Sequence, residues 1–324
     1  MSSAQDALKW LSNIVSSVSI VLVNKQLMGP EGFMYATTLC GMHFLSTVMI
    51  RCFLCQTPLK EGVVTRDELP RAKLLAFVGV ASTSIVSANV SLMLNHIGFY
   101  QLCKLLQIPT VALMEFIFNG RRISLTLMLA LALVMLGVGV ATVQETSTNF
   151  WGTVFAVIAV LSTSAQQLLV GRLQSEYKIG SNDLLGRTAP RMAASMLFIG
   201  PFLDMVLTGR WVTDYKWKLE SLSLFVLSCL LAIWANISQY MCIGTFSALS
   251  FQVIGHTKTV FIFIFGWLIF DIPVSWNNIV GGMIAVGGIS YYSRVVAVEK
   301  LEIRRCLQDA SRSNRQVNTM ARAA

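Results

Sequence analysis

The chain has 324 residues, 55% of them hydrophobic and only 13% charged, with a mean hydropathy of +0.64. That balance excludes a soluble domain built around one large core and fits a polytopic helical membrane protein. A formal charge of +9 suggests nucleic acid at first sight, but most of the cations sit in loops between apolar runs, so no nucleic-acid partner is expected.

Apolar runs bounded by charged, Gly or Pro residues define ten candidate spans, at about 7–28, 33–55, 73–95, 98–119, 124–143, 151–170, 186–207, 222–243, 250–270 and 276–294. An even number places both termini on one side. Lys9, the loop carrying Arg51, Lys60, Arg66, Arg71 and Lys73, then Arg121, Arg122, Arg172, Lys178 and Arg187, and the tail from Arg294 all fall on that side. The positive-inside rule therefore predicts cytosolic termini. The expected organisation is one transmembrane domain over 1–300 and a basic polar tail over 301–324. The first ten residues carry no basic segment followed by a small-residue cleavage site, so the first span is expected to act as an uncleaved signal into the secretory pathway.

Seven cysteines, an odd number, argue against a disulfide framework. Cys52 and Cys55 form a C-x-x-C with no second such pair, and with three scattered His no metal site or cofactor is expected. The glycines at 137, 139, 281, 282, 287 and 288 lack a nucleotide-loop pattern and predict close packing of spans five and ten.

Lys258 is the residue that most needs explaining. It lies roughly two turns inside the run 250–270, where a Lys costs about 2.5–3.5 kcal/mol on insertion scales and by default marks a functional site with an anionic partner. No acid on that span supplies one, which points to an anionic substrate. Gly255, one turn earlier, leaves room above the ammonium, and Thr259 offers a hydroxyl to a phosphate oxygen. Lys104 in span four is the second candidate. Tyr100, Asn236, Gln239 and Tyr240 are candidates to stack on and hydrogen-bond a base. Asn24 and Lys25 end span one, where Lys25 is either a ligand or an interface anchor. Glu115 follows Lys104 by eleven residues; it either pairs with Arg191 or Lys258 in the empty state or acts as a gating contact.

The chain also repeats itself. Ala88-Asn89-Val90-Ser91, then Ile97-Gly98 and Lys104, is echoed by Ala235-Asn236-Ile237-Ser238, then Ile243-Gly244 and Lys258. A unit of five spans, about 7–143 and 151–294, forces the second copy into the membrane inverted, as in secondary transporters with a midplane site. On that topology Lys104 and Lys258 enter from opposite faces and end about 9 Å apart along the normal of a ~30 Å core, a gap two lysine stems can close around a diphosphate.

The stretches FYQLCKLLQIP (99–109), STSAQQLLVGRLQSEYKIGSNDLLGRTAP (162–190), NISQYMCIGTFSALSFQVIGHTKTV (236–260) and the following GWLIFD resemble nucleotide-sugar transporters of the triose-phosphate-translocator branch of the drug/metabolite transporter superfamily. Within it they are most similar to plant-type Golgi transporters of UDP-rhamnose/UDP-galactose and of UDP-xylose. The resemblance implies an all-α fold of ten transmembrane helices in two inverted five-helix repeats, and exchange of a cytosolic UDP-sugar for luminal UMP. It assigns the span-nine Lys-Thr pair to Lys258 and Thr259, the span-four Lys to Lys104, and the span-one Asn-Lys to Asn24 and Lys25. Arg191 departs from the neutral residue that near relatives carry after TAP. The implied station is the Golgi membrane, with the endoplasmic reticulum as alternative. The implied partners are the UDP-sugar, UMP and membrane lipids, with a homodimer left open. Transport of a sugar phosphate or another organic anion is the alternative within the class. A membrane scaffold or a glycosyltransferase lies outside it, and no D-x-D pair serves a metal-dependent transferase.

Overall fold

The computed structural model describes residues 2–29, 31–54, 69–95, 103–120, 124–142, 149–246, 249–251, 253, 255, 258, 261, 276–277, 279–296 and 298–299. Among them the regular structure is helical, without a strand. The helices are α1 (Ser2–Met28), α2 (Ala36–Leu54), α3 (Arg71–Leu94), α4 (Gln107–Asn119), α5 (Leu125–Thr142), α6 (Phe150–Glu176), α7 (Ser181–Thr208), α8 (Leu219–Phe246) and α9 (Ile279–Val296). Helices α1 to α8 fall on the first eight apolar runs and α9 on the tenth. The described positions of the ninth run, at 251, 253, 255, 258 and 261, are helical. Six of the helices are long and apolar enough to cross a membrane: α1, α3, α6, α7, α8 and α9.

Helix ends follow local chemistry. Asn149 caps α6, its Oδ1 accepting from Gly152 N at 3.2 Å, and is itself held by Asn95, whose Oδ1 accepts from Asn149 N at 3.0 Å. Helices α4 and α7 end at Gly120 and Gly209, both left-handed with φ of +62° and +71°. Several helices overrun their apolar stretch: α6 continues to Glu176 and α7 begins at Ser181. Their polar ends project where charged groups can be satisfied.

Helix α3 packs along α6, α2 along α7, and α1 along α8, while α2 also touches α8 and α3 touches α7. Lipid tails are as apolar as leucine, so these contacts rest on close approach and interhelical hydrogen bonds rather than on a hydrophobic driving force. Ser82 meets Ser195 at 2.7 Å and Ser84 meets Thr163 at 2.6 Å. A Cβ on Gly137 of α5 would lie 2.3 Å from Ala285 N and 2.8 Å from Gly281 O of α9, and one on Gly288 would lie 2.8 Å from Val134 N. Spans five and ten thus pack as the sequence predicts at Gly137, Gly281 and Gly288. Gly282 and Gly287 have open space beside them, and the nearest atom to a Cβ on Gly139 is Leu105 Cδ1 at 3.8 Å, so these three do not set the approach. The outward surface is apolar, with Phe198 and Val206 each 75% exposed, as a lipid-facing wall requires.

The contacts between helix ends sort into two groups. One end, rich in Lys and Arg, joins Lys9 to Thr245, Arg51 to the Asn182 carbonyl, Lys73 to Glu176, and Arg172 to the Phe118 carbonyl. The opposite end joins Tyr35 to the Trp211 carbonyl, Tyr215 to the Glu31 carbonyl, and Asn95 to Asn149. There Phe33, Tyr35, Tyr215, Trp217 and Phe225 form an aromatic cluster beneath a 3-10 turn, Val212–Asp214.

Candidate functional site

Lys258 occupies a helical position of the ninth run and is half-buried. Its Nζ lies 4.9 Å from the centroid of the Phe251 ring, one of the buried residues packed with Tyr240, Cys242 and Ile243. A ring face attracts a cation but does not neutralise it. No carboxylate among the described residues pairs with Lys258. Instead its charge acts on that of Lys104 and on the Cys242 thiol. Lys104, also half-buried, sits in the short helical turn 103–105 that leads into α4. The two lysines singled out from separate halves of the chain are therefore electrostatic neighbours. Two neighbouring cations make the local potential favourable to an anion. A Cβ on Gly255 would meet nothing within 4 Å, so the space expected beside Lys258 is open.

The remaining candidates divide. Asn236 is half-buried and donates from Nδ2 to Thr47 Oγ1 at 3.2 Å, and its repeat counterpart Asn89 donates to Thr37 Oγ1 at 2.9 Å. Both amides bind threonines of α2. Gln239 is half-buried on α8. Tyr240, expected to stack on a base, is packed instead: it is 4% exposed, and its hydroxyl lies 3.1 Å from Thr188 Oγ1, joining α8 to α7. Asn24 accepts from Ser228 Oγ, which also meets His43 Nε2 at 2.8 Å. This is a polar chain across α1, α8 and α2, buried at Ser228 and His43 and half-buried at Asn24. Lys25 is exposed in the last turn of α1, the place of an interface anchor, where a cation also complements the helix dipole. Glu115 is buried in α4. Arg191 is exposed and donates to the Arg187 carbonyl of its own helix at 2.6 Å. Thr259 and Tyr100 lie outside the described residues.

One buried acid escaped the sequence reading. Asp204, near the end of α7 and 1% exposed, accepts from Thr37 N at 3.1 Å and Thr38 N at 2.7 Å. It caps the first turn of α2 from another helix. Glu115 is thus not the only buried acid within the spans. A second surprise is Lys9, which approaches Cys242 from α1 and was counted in the sequence only as a topological charge.

The model of the Triose-phosphate Transporter family matches residues 8–293. The chain belongs to this family. It is 44% identical over 301 residues to UDP-rhamnose/UDP-galactose transporter 2 of Arabidopsis thaliana, covering 92% of this chain and 85% of that protein. It is 37% identical to UDP-xylose transporter 2 of the same plant, over 89% of this chain and 80% of that one. These relatives are transporters rather than enzymes. A solved crystal structure superposes with a TM-score of 0.69 at 12% identity, covering 90% of this chain and 98% of that one, a likeness of fold. Family membership and the apolar helices agree: this is a multi-pass membrane protein of a transporter family.

Proposed function

We propose that this family member is a nucleotide-sugar antiporter that binds a cytosolic UDP-sugar between Lys104 and Lys258 and exchanges it for luminal UMP by alternating access. The observation that carries the reading is Lys258 itself: a half-buried cation beside a second lysine, with open space at Gly255 and no carboxylate among the described residues to neutralise it. A diphosphate supplies the missing charge through charge-assisted hydrogen bonds. The names of the Arabidopsis relatives, which specify UDP-galactose, UDP-rhamnose and UDP-xylose, favour a UDP-sugar as cargo. A Golgi station belongs to the same proposal.

The ten-span, two-repeat architecture belongs to the same proposal. If spans one to five are exchanged for spans six to ten, the α1–α8 contact becomes the α3–α6 contact, α2–α7 maps onto itself, α2–α8 becomes α3–α7, and α5–α9 maps onto itself. That these principal pairings map onto one another under the exchange supports two inverted halves related by an axis in the membrane plane. The basic end, where Lys9, Arg51, Lys73 and Arg172 gather, is then the cytosolic one. Exchange needs no ion gradient, because the nucleotide ratio across the membrane drives it.

Proteoliposomes loaded with UMP and offered a panel of UDP- and GDP-sugars test the reading. Uptake of a UDP-sugar that requires internal UMP is expected. Uptake independent of UMP, or competition by phosphoenolpyruvate but not by UMP, would replace it with transport of another organic anion.

A further inference from the structure

We propose that Lys9 is a third substrate-contacting cation, which receives the phosphate of an incoming nucleotide at the basic mouth before Lys258 takes it. The inference rests on the transport reading above and extends it outward from the paired lysines.

Lys9 projects from the second turn of α1 against the last turns of α8. Its carbonyl accepts from the Cys242 thiol at 3.5 Å, which fixes the backbone beside α8. Its ammonium lies 3.4 Å from Asp6 Oδ1 and 3.3 Å from Thr245 Oγ1, with side-chain exposures of 30% for Lys9 and 39% for Asp6. Both contacts are at the long limit for a hydrogen bond, and an ammonium has three donors, so capacity remains for an oxygen ligand. The Thr245 hydroxyl stands beside it as a second donor. An exposed i,i+3 pair contributes little to helix stability, so folding alone does not account for a lysine turned toward α8 here.

The position inward of Lys9 gives it meaning. Cys242 is fully buried and belongs to the same packed cluster as Phe251, whose ring carries the Lys258 ammonium at 4.9 Å. The thiol lies in the electrostatic field of both Lys9 and Lys258, and Lys258 in that of Lys104. Cys242 thus links the Lys9 backbone at the basic end to the packed cluster whose Phe251 ring carries Lys258. A cation at the mouth of a cleft that holds further cations raises the local concentration of an anion at the entrance. Asp6 partly neutralises Lys9 in the empty protein, and an arriving phosphate displaces it.

The test is UDP-galactose uptake into sealed microsomal vesicles, whose cytosolic face is outward, from cells expressing the full chain, measured against substrate concentration at low and high salt. Lys9→Gln is expected to raise KM about fivefold with maximal rate retained, and to flatten the salt dependence of KM. Lys9→Arg should keep wild-type behaviour, and Asp6→Asn, which retains Lys9, should lower KM. If Lys9→Gln and Asp6→Asn both match wild type in KM and salt dependence while Lys258→Met abolishes uptake, Lys9 has no contact with substrate and the transport reading stands. If Lys258→Met also leaves uptake unchanged, the transport reading falls with it. Should Lys9→Gln fail to accumulate, Asp6→Asn decides alone, an unchanged KM overturning the proposal.

Discussion

Lys258→Met separates a ligand-binding lysine from a structural one, because the two roles predict opposite signs in the empty protein. Methionine keeps the length and most of the volume of the stem while removing the charge. In the empty protein Lys258 feels Lys104 and, among the described residues, has the Phe251 ring and the Cys242 thiol in compensation. A Lys at the centre of a spanning helix costs about 2.5–3.5 kcal/mol, and a cation–π contact returns about 0.5–2 kcal/mol. Half-burial reduces the first figure, so the substitution should stabilise the empty protein by about 1 kcal/mol, a rise of about 1–2 °C in Tm for a chain of this length. UMP binding should move the other way. Losing one charge-assisted hydrogen bond costs about 1.5–3 kcal/mol, or roughly 10–150-fold in Kd. Both quantities come from one thermal-shift titration of the purified chain with UMP. A lower Tm together with an unchanged UMP affinity would refute the argument and make Lys258 a structural cation.

Three further substitutions test the surrounding assignments. Asp204→Ala leaves two backbone N–H groups of α2 without their acceptor and should cost about 1–3 kcal/mol in Tm-derived stability, with UMP affinity unchanged. Gly137→Val drives a side chain into the Ala285 backbone, where even a Cβ lies 2.3 Å from the nitrogen; overpacking of about 1–3 kcal/mol should appear as a lower Tm. Tyr240→Phe removes one neutral hydrogen bond worth about 1 kcal/mol or less, because Thr188 Oγ1 still donates to the Leu184 carbonyl at 2.9 Å. UDP-sugar KM should not change, and a tenfold rise would restore Tyr240 to the binding surface.

Hydropathy located the helices but not their ends. The apolar run of span six stops near 170, yet α6 continues to Glu176 because its last turns leave the hydrocarbon and meet Lys73 at 2.5 Å. A hydropathy window marks the apolar slab, whereas a helix stops where its carbonyls lose partners. Tyr240 and Asp204 mark a different limit. An aromatic with a hydroxyl fits a base platform, but which face of α8 packs on α7 depends on the neighbour, and the same chemistry serves as helix-to-helix glue. Asp204 finds its donors more than 160 residues away in sequence, so no local pattern announces a cap. Lys104 and Lys258 stand out in the sequence because each conflicts with its own helix, and that conflict needs no neighbour to be seen.

The two kinds of buried charge then explain one another. Asp204 receives two backbone N–H groups and a helix N-terminus, so its desolvation is offset entirely by protein, and its position is fixed. Lys258 has no carboxylate partner among the described residues, where a ring, a buried thiol and another cation's field surround it. A chain optimised for stability alone would place an acid opposite it, since an unpaired cation costs more in lipid than a satisfied pair. An acid there would also compete with any phosphate for the same donors, turning a binding site into a closed salt bridge. On the transport reading proposed above, a position with no carboxylate among the described residues lets the charge be shared with a ligand that arrives and departs, and the partial exposure of Lys258 lowers the cost of the empty state.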